Sequence, residues 1–479
     1  MTSNRHRNRH LMTLTRQSAS TILADLSSGR LSAAELMQAT LARIADVNPQ
    51  LNAIVALQDA DALMAAARAA DAGPWRGPLH GLPVAVKDLA DVAGLPTTKG
   101  SPLLADFVPK RDELIAARMR AAGAIFIGKT NVPEFGLGSH TFNPVYGATV
   151  NPYDPTLSCG GSSGGAAVAL ATGMLALADG SDMMGSLRNP AAWNNVYGYR
   201  PSWGLVPSEP LGDTFLHQLS TLGPMARSPQ DIALLLDVIA GPDPRQPHGM
   251  RHEPIAPLEP CDPKGLRIGW LGDWGGAYPM EAGVMECCEG ALRSFEAMGC
   301  HVEALAPPFP AEKIWDSWTT LRSWQVGAGL APMMEQPDQR AQLKDSARWE
   351  AERGMALSAM EVHRASVLRS DWFKRAAALF EDYDALVLPS AQVWPFDVAQ
   401  PYPTSIAGQE MDTYHRWMEV MIPVSLLGLP CLAAPAGFGA QGVPMGVQIF
   451  GPRGSDARLL ALGAAYHEAT GWPQKAPAM

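Results

Sequence analysis

The sequence of 479 residues predicts an α/β protein with a mixed, mostly parallel central sheet sandwiched between helical layers. Stretches with apolar residues at helical spacing alternate with short, uninterrupted apolar runs, which supports this fold class. A composition of 47% hydrophobic and 18% charged residues is that of a globular protein. Uninterrupted apolar runs are typical of strands that are buried on both faces. Alternating units of this kind form a sheet that is covered by helices.

The first half of the chain contains an N-terminal helix and two helix–strand units. Ser32 to Glu35 form a capping box, and the apolar residues that follow recur at helical spacing, which predicts an N-terminal helical layer. The two units that follow have helices predicted at residues 112–122 and 164–172 and strands predicted at residues 124–127 and 174–178.

The second half begins after a proline-rich segment at residues 254–263, which we interpret as a hinge. Residues from about 310 to 380 are predicted to be mostly helical. The other expected elements are strands at residues 266–270, 301–305, 385–389 and 445–450 and a helix at residues 282–298.

Residues 421–439 carry no charged side chain, and a run of this length raises the possibility of a membrane span. Pro423, Pro430 and Pro435 interrupt the run and argue against a continuous helix in lipid. We therefore interpret this segment as buried strand and loop.

The expected domain organisation is a short tail followed by one domain. Residues 1–15 are predicted to form a basic, disordered tail, because no apolar segment of signal-peptide length follows it. Residues 16–479 are predicted to form a single domain with a helix-rich, more variable stretch at about 260–390.

Composition narrows the class of partner. A net charge of −10 offers no basic face to nucleic acid or to an anionic membrane, so we expect a small-molecule substrate, no nucleic acid and no membrane. The six cysteines form no CxxC pair and no metal-ligand spacing with a histidine, which predicts no metal site and a cytoplasmic location. We expect no cofactor, and the sequence leaves a homodimer open.

Two serine-containing motifs indicate hydrolytic chemistry. Residues 159–165 read Cys-Gly-Gly-Ser-Ser-Gly-Gly and include Ser162, and residues 181–188 read Ser-Asp-Met-Met-Gly-Ser-Leu-Arg and include Ser186. A serine hydroxyl is a weak nucleophile and needs an adjacent base. The well-placed candidate for this base is Lys87, upstream of both motifs at the end of an apolar run that is predicted to be a strand. Burial of the lysine in such a strand would favour its neutral form.

Each motif has other interpretations. A lone lysine at the end of a strand is more often a surface residue, and a glycine-rich run is often a flexible turn. A phosphate-binding loop needs a lysine after its last glycine, whereas Gly165 is followed by alanine. HExxH does not occur, which argues against a zinc protease.

The motifs and the spacing of Lys87, Ser162 and Ser186 resemble those of the amidase signature family, and the similarity extends from about Ser18 to the C-terminus. The resemblance implies hydrolysis of carboxamides by a Ser-Ser-Lys triad. In that triad Ser186 is the nucleophile, and Ser162, preceded by a cis peptide bond, relays the proton to and from Lys87. The segment 128–135 resembles the lining of the family's acyl pocket, which would place Gly136 near the substrate.

Residues around Ser186 are predicted to support catalysis. The backbone N–H groups of Met183, Met184, Gly185 and Ser186 are expected to form the oxyanion hole. Asp182 and Arg188 are expected to hold this turn by pairing or by backbone hydrogen bonds, the alternative being two solvated charges.

Position 184 departs from the family pattern, which usually has glycine there. If this position needs a positive φ, methionine is strained; if it does not, Met184 only narrows the acyl pocket. Trp193 and the tryptophans between 315 and 372 suggest an apolar or aryl acyl pocket, although core packing explains large aromatic residues equally well.

The sequence therefore predicts an amidase that hydrolyses a small carboxamide to a carboxylate and ammonia or an amine through an acyl-serine intermediate. Two alternatives stay open. One is a glutamine-hydrolysing amidotransferase component, and the other is a catalytically inactive binding protein with the same fold.

Overall fold

The computed structural model of the protein describes residues 14–479. The predicted tail at residues 1–15 lies outside the described residues except for Leu14 and Thr15, whose side chains are buried. The α-helices are α1 (Ala19–Ser27), α2 (Ala33–Leu51), α3 (Ala60–Ala72), α4 (Leu114–Ala121), α5 (Gly164–Ala171), α6 (Arg188–Trp193), α7 (Pro229–Ile239), α8 (Val284–Ala297), α9 (Ala311–Met334), α10 (Pro337–Gln342), α11 (Asp345–Met355), α12 (Ala359–Leu379), α13 (Ile422–Leu427) and α14 (Asp456–Thr470).

The strands within residues 14–479 form one large sheet and three small ones. They are β1 (Ile54–Val55), β2 (Pro83–Lys87), β3 (Ile125–Thr130), β4 (Phe142–Asn143), β5 (Gly147–Ala148), β6 (Leu177–Asp182), β7 (Tyr197–Arg200), β8 (Thr221–Ala226), β9 (Arg267–Trp270), β10 (His301–Ala304), β11 (Ala385–Pro389), β12 (Ser405–Ile406), β13 (Gln409–Glu410), β14 (Cys431–Phe438) and β15 (Pro444–Phe450). The large sheet has the order β10-β9-β11-β15-β14-β7-β8-β6.

The large sheet is mixed, and the α/β class with helices packed on a central sheet is confirmed. The expected parallel pairing holds at one end, where β9 pairs with β10 and β11. From β11 through β15, β14, β7 and β8 to β6 the pairs are antiparallel. A short connection such as that between β14 and β15 permits only antiparallel neighbours, because a parallel pair needs a long crossover.

The small sheet β1-β3-β2 carries the first site residue. Strands β2 and β3 are parallel, with Val86 opposite Lys129 and Lys87 opposite Thr130. Strand β2 also packs against β6 of the large sheet, which brings the end of β2 close to Ser181. The two sheets together therefore position the lysine beside the second serine motif.

Most predicted elements occur within a few residues of their expected bounds. The capping box at the start of α2 is complete. The side chain of Ser32 accepts a hydrogen bond from the backbone N–H of Glu35, and the side chain of Glu35 accepts one from the backbone N–H of Ser32. The strand expected at residues 174–178 is displaced, because β6 begins at Leu177 and continues to Asp182. Residues 174–176 are a buried apolar loop, and an apolar run alone does not distinguish such a loop from a strand.

The uncharged segment 421–439 contains helix α13 followed by strand β14, so its first part is a short helix rather than the expected strand or loop. None of the helices within residues 14–479 has the length and the apolar character that crossing a membrane requires. In the same part of the chain, His, Cys, Asp and Glu side chains form no group of three or more that could hold a metal ion.

Candidate active site

The side chain of Lys87 ends inside a cluster of serine hydroxyls. This side chain is buried at the end of β2, with 1% of its surface exposed. The Nζ atom lies 2.9 Å from Ser162 Oγ, 2.8 Å from Ser163 Oγ and 3.0 Å from Ser181 Oγ. Three hydroxyls from two separate motifs therefore meet one amine.

The surroundings of Lys87 favour its neutral form. Burial lowers the pKa of Lys87 from 10.5 to about 7, although the negative charges of Asp179 and Asp182 act in the opposite direction. Asp179 Oδ1 accepts a hydrogen bond from the backbone N–H of Lys87 at 3.0 Å. Within residues 14–479 the direct neighbours of Nζ are uncharged oxygens, so no ion pair in this part of the chain compensates the lost hydration of the ammonium group. The amine can therefore accept a proton near neutral pH.

Ser162 lies in the loop that leads into α5. The Gly161–Ser162 peptide bond is cis, as the resemblance implied. Carbonyl oxygens of this loop accept hydrogen bonds from two neighbouring hydroxyls, Gly161 O from Ser139 Oγ at 2.5 Å and Gly160 O from Thr141 Oγ1 at 2.8 Å. The loop is thus held from the side of residues 139–141.

The carboxylate of Asp182 organises the turn that carries Ser186. Its oxygens accept hydrogen bonds from the backbone N–H groups of Gly185 at 2.9 Å and Leu187 at 3.1 Å. Both Arg188 and Arg200 lie within ion-pair distance, with Nη2 of Arg188 at 3.0 Å and Nη1 of Arg200 at 3.1 Å from Oδ1. The turn is therefore built around a buried anion.

Asp182 and Arg188 form a buried ion pair and are not solvated charges. Both side chains have no exposed surface. Although burial opposes ionisation, the charges of Arg188 and Arg200 hold the pKa of Asp182 well below its usual range. The guanidinium of Arg188 also donates to Gln448 Oε1 and Ser425 Oγ, both at 2.6 Å. These bonds connect the turn to strand β15 and helix α13.

The backbone before Ser186 resolves the two alternatives for position 184. Gly185 has a φ of +89°, and neither Met183 nor Met184 is among the described residues with a positive φ. Methionine at position 184 is therefore not strained in the left-handed region. A side chain at Gly185 would also collide with Met421, whose Cγ lies 2.7 Å from the position of an added Cβ.

The expected set of oxyanion donors needs one correction. The N–H of Gly185 already donates to Asp182 Oδ1, so it is not available to a substrate. Within residues 14–479, the N–H groups of Met183, Met184 and Ser186 have no hydrogen-bond acceptor. The candidate donors are thus these three groups.

A cavity of about 100 Å³, hereafter the inner cavity, contains both serines. The side chain of Ser186 is only 8% exposed. Gly136 has a φ of +69°, and a Cβ added there would lie 3.5 Å from Ser162 Oγ and 2.8 Å from Leu89 Cδ1. The lining residues are Leu89, Phe135, Gly136, Leu137, Gly138, Ser162, Ser181, Met183, Met184, Ser186, Ser220, Arg322 and Met418.

The tryptophans do not line the inner cavity. Trp193, which suggested an aryl acyl pocket, has no exposed surface and stacks on Trp417 with ring centroids 5.9 Å apart. Trp318 and Trp372 are fully buried as well. These three rings therefore pack in the core and do not form an acyl pocket.

Sequence reasoning missed three residues of the site. Ser163 and Ser181 contact Lys87 and are direct neighbours of predicted residues, so the two motifs already contained them. Arg322 reaches the inner cavity from α9, far away in sequence, and no motif marks it. Its Nη1 donates to Met183 Sδ at 3.2 Å, and its Nε lies 2.7 Å from Glu350 Oε1 in a buried ion pair.

Comparisons with known proteins agree with this geometry. The model of the Amidase family matches residues 35–460. An acylamidase of Rhodococcus erythropolis is 35% identical, with 96% of this chain and 97% of the relative covered. A component of the glutamyl-tRNA(Gln) amidotransferase of Thermus thermophilus is 36% identical, with 94% of this chain and 96% of the relative covered.

A solved structure of a bacterial aryl acylamidase of the amidase signature family superimposes with a TM-score of 0.88 at 28% identity and covers 96% of this chain and 97% of that one. The chain therefore belongs to the amidase signature family. It is an amidohydrolase that acts on amides.

Proposed function

We propose that the protein hydrolyses a small neutral carboxamide through an acyl-serine intermediate, with Ser186 as nucleophile, Ser162 as proton relay and Lys87 as base. The observation that supports this proposal most is the position of the buried Lys87 amine, 2.9 Å from Ser162 Oγ in a cavity that also contains Ser186. An amine whose pKa is about 7 is matched to proton transfer at neutral pH.

In the first half-reaction Ser186 Oγ attacks the carbonyl carbon of the amide. Its proton passes to the oxygen of Ser162 while the proton of Ser162 passes to Nζ of neutral Lys87. The carbonyl oxygen becomes negative and accepts hydrogen bonds from backbone N–H groups of Met183, Met184 and Ser186. Asp182 and Arg188 act on this step only by holding the turn that presents these groups.

Collapse of the tetrahedral intermediate breaks the C–N bond. The ammonium group of Lys87 returns its proton through Ser162 to the leaving nitrogen, which departs as ammonia or an amine. Water then attacks the acyl-serine ester, and Lys87 and Ser162 remove one of its protons and return it to Ser186. The product leaves as the carboxylic acid, which loses its proton to solvent and becomes the carboxylate. Each group ends in its starting protonation state.

Similarity to an amidotransferase component favours a second candidate, glutamine hydrolysis with transfer of ammonia to a partner. Free glutamine carries an α-carboxylate and an α-ammonium group. Arg322 is the charged residue in the lining of the inner cavity. Its positive charge is already paired with Glu350, whose Oε1 lies 2.7 Å from Arg322 Nε. This pairing favours a neutral amide. Hydrolysis of acetamide and glutamine by the protein purified alone separates the two candidates.

The third possibility, an inactive binding protein, predicts an unreactive Ser186. A serine-reactive fluorophosphonate should label the wild-type protein once, as measured by intact-protein mass spectrometry, because only an activated serine reacts fast. Ser186→Ala should remove the label. Ser220→Ala is the matched control, since this serine lines the same cavity and should leave labelling unchanged. Labelling that survives in Ser186→Ala would overturn the proposed nucleophile.

A cytoplasmic location and a homodimer stay predictions from the sequence.

A further inference from the structure

The inner cavity adjoins a second, much larger cavity. This outer cavity has a volume of about 690 Å³, compared with about 100 Å³ for the inner cavity. Leu137 and Gly138 line both. A substrate whose carbonyl carbon is held at Ser186 can therefore extend from the inner into the outer cavity along residues 137–138.

The two volumes restrict what each cavity can hold. A dry protein cavity of about 150 Å³ is large enough for benzene. The inner cavity, at about 100 Å³, must hold the reacting carbonyl group and has no room for an aromatic ring as well. The outer cavity lies within the range of roughly 300–1,000 Å³ that is typical of small-molecule sites. A ring of the substrate therefore has to lie in the outer cavity.

The position of Ser162 indicates which half of the substrate faces the outer cavity. Ser162 returns the proton to the leaving nitrogen, so the nitrogen must lie on its side of the carbonyl group. Gly136 is next to Ser162 Oγ, and the chain continues from Gly136 to Leu137 and Gly138 at the outer cavity. Met183 and Met184 line the inner cavity, where they leave space only for a short acyl group.

The outer cavity is aromatic in character. Trp349 and Phe142 are 40% and 39% exposed, which leaves part of each ring available to a ligand. The aromatic residues in its lining are Phe142, Trp349, Tyr402, Tyr414 and Trp417.

The charged residues of the outer cavity already have partners. Lys344 Nζ donates to the carbonyl oxygen of Leu137 at 2.6 Å. Asp345 pairs with Arg348, and Asp412 lies 3.7 Å from Arg416. A cationic substituent would find both carboxylates already paired, and an anionic substituent would have to compete with the carbonyl oxygen of Leu137 for the amine of Lys344. A neutral ring would instead bury apolar surface against the aromatic wall.

We propose that the outer cavity binds the amine portion of the substrate, that this portion is a neutral aromatic amine, and that the acyl portion is short. This inference rests on the proposed amidase function, because it uses the proton path through Ser162 to orient the substrate. It assigns N-aryl amides of short carboxylic acids as the substrate class.

Three amides separate the two halves of the substrate: acetanilide has a short acyl group and an aromatic amine, benzamide has an aromatic acyl group, and acetamide has neither ring. The wild-type protein should hydrolyse acetanilide with a kcat/KM at least roughly 10-fold above that for benzamide. Met184→Gly, which widens the inner cavity, should raise kcat/KM for benzamide more than that for acetanilide. A preference for benzamide over acetanilide in the wild-type protein would overturn the inference.

Variants of the outer wall test the site directly. Trp349→Ala should raise KM for acetanilide about 10-fold and leave kcat/KM for acetamide unchanged, because one aromatic contact is lost. Phe142→Ala is a second test in case the first variant is unstable. The matched controls are Trp75→Ala and Phe373→Ala, which remove rings of similar exposure, 49% and 38%, outside the cavity.

Binding of aniline, measured by calorimetry and by saturation-transfer NMR, does not depend on turnover. We expect Trp349→Ala to weaken it about 10-fold and Trp75→Ala to leave it unchanged. If no amide is hydrolysed but aniline binding depends on Trp349, the proposed function fails and the aromatic-amine site stands. If acetanilide is hydrolysed but neither KM nor aniline binding responds to Trp349→Ala or Phe142→Ala, the inference is overturned and the proposed function stands.

Discussion

Two buried lysines on neighbouring strands show what distinguishes a catalytic amine from a structural one. Lys87 ends β2 and Lys129 lies in β3, and neither side chain has more than 1% of its surface exposed. Burial lowers the pKa of both. Their difference lies in the groups that each amine contacts.

The amine of Lys129 has a carboxylate and a carbonyl oxygen as partners. Its Nζ lies 3.8 Å from Asp88 Oδ1, donates to the carbonyl oxygen of Ala90 at 2.5 Å and donates to Thr97 Oγ1 at 3.2 Å. The amine of Lys87 contacts three hydroxyl groups and the carbonyl oxygen of Ser181, and within residues 14–479 it forms no ion pair with a carboxylate. Hydroxyl groups can exchange protons with a neutral amine, whereas a carboxylate favours the ammonium form. Burial alone therefore does not make a base.

The largest expected effect is the contrast between the two lysines. Lys87→Met should lower kcat by about 10³-fold or more, because the proton relay loses its end point. Lys129→Met should keep kcat in the folded fraction but reduce the free energy of unfolding by roughly 3 kcal/mol, because Asp88 is left buried without a cation. Kinetics with acetamide and urea unfolding measure both quantities.

The sign of the stability change in Lys87→Met is also defined. In the folded protein the pKa of Lys87 is about 7, below its usual 10.5. Below pH 7 the folded protein must bury a charged ammonium group, so the burial of Lys87 lowers the free energy of unfolding by its full amount. As the pH rises towards 10.5 this destabilisation disappears, because the lysine becomes neutral in the unfolded chain as well. Lys87→Met should therefore not reduce the free energy of unfolding at pH 7. A loss as large as in Lys129→Met would show that Lys87 is a structural residue.

A smaller contrast is expected between the hydroxyls of Ser162 and Ser163, which lie 2.9 Å and 2.8 Å from the same Nζ. Ser162→Ala should lower kcat about 10³-fold, and adding Lys87→Met should lower it little further, because residues that act as one unit are not additive. Ser163→Ala should lower kcat only about 10-fold, since this hydroxyl positions the amine. Equal losses in the two serine variants would contradict the relay role of Ser162.

The hydroxyl partners of the two lysines provide a third contrast. Ser181→Ala removes the hydroxyl at 3.0 Å from Lys87 and should lower kcat about 5- to 10-fold, which corresponds to one neutral hydrogen bond. Thr97→Ala removes the hydroxyl at 3.2 Å from Lys129 and should change stability but not kcat. Steady-state kinetics and thermal melts of the two variants measure these effects. A fall in kcat for Thr97→Ala but not for Ser181→Ala would contradict the assignment of Lys87 as the base.

The smallest expected effect is a shift in the pH profile. Because Lys87 must be neutral, kcat/KM should rise with pH through an apparent pKa of about 7. The negative charge of Asp179 raises the pKa of Lys87, so Asp179→Asn should move the rising limb to lower pH. Asp71→Asn, which removes an exposed carboxylate at the start of α2, is the control and should leave the limb in place. A profile that falls between pH 5 and pH 8 would exclude a lysine base.

Much of the candidate site could be predicted from sequence because its residues lie in compact motifs. The glycine-rich run with Ser162 and the turn with Ser186 are local features, and the structure places both serines in one cavity. The pairing of Asp182 with Arg188 joins residues six positions apart. Their catalytic and supporting roles stay predictions until the variants are measured.

Other parts of the site depended on contacts between distant segments. Arg322 on α9 contacts Glu350 on α11 and Tyr414, and its Nη2 donates to Tyr414 OH at 2.8 Å. Arg322 is the member of this cluster that lines the inner cavity. The bond of Gly185 N–H to Asp182, which removes it from the oxyanion donors, depended on the conformation of the turn. Periodicity reports which residues are buried but not which buried residues touch.

By itself the sequence determined the α/β class, the family, and the three residues proposed as the triad, because residue type and spacing within short motifs carry that information. Only the tertiary structure decided that Lys87 and Lys129, each in an apolar strand, have different partners. In the parallel register Val86 is opposite Lys129, and side chains alternate along a strand, so the two lysines lie on opposite faces of the small sheet. One face meets the serine loops and the other meets Asp88, and this difference in neighbours is set by packing that no local pattern encodes.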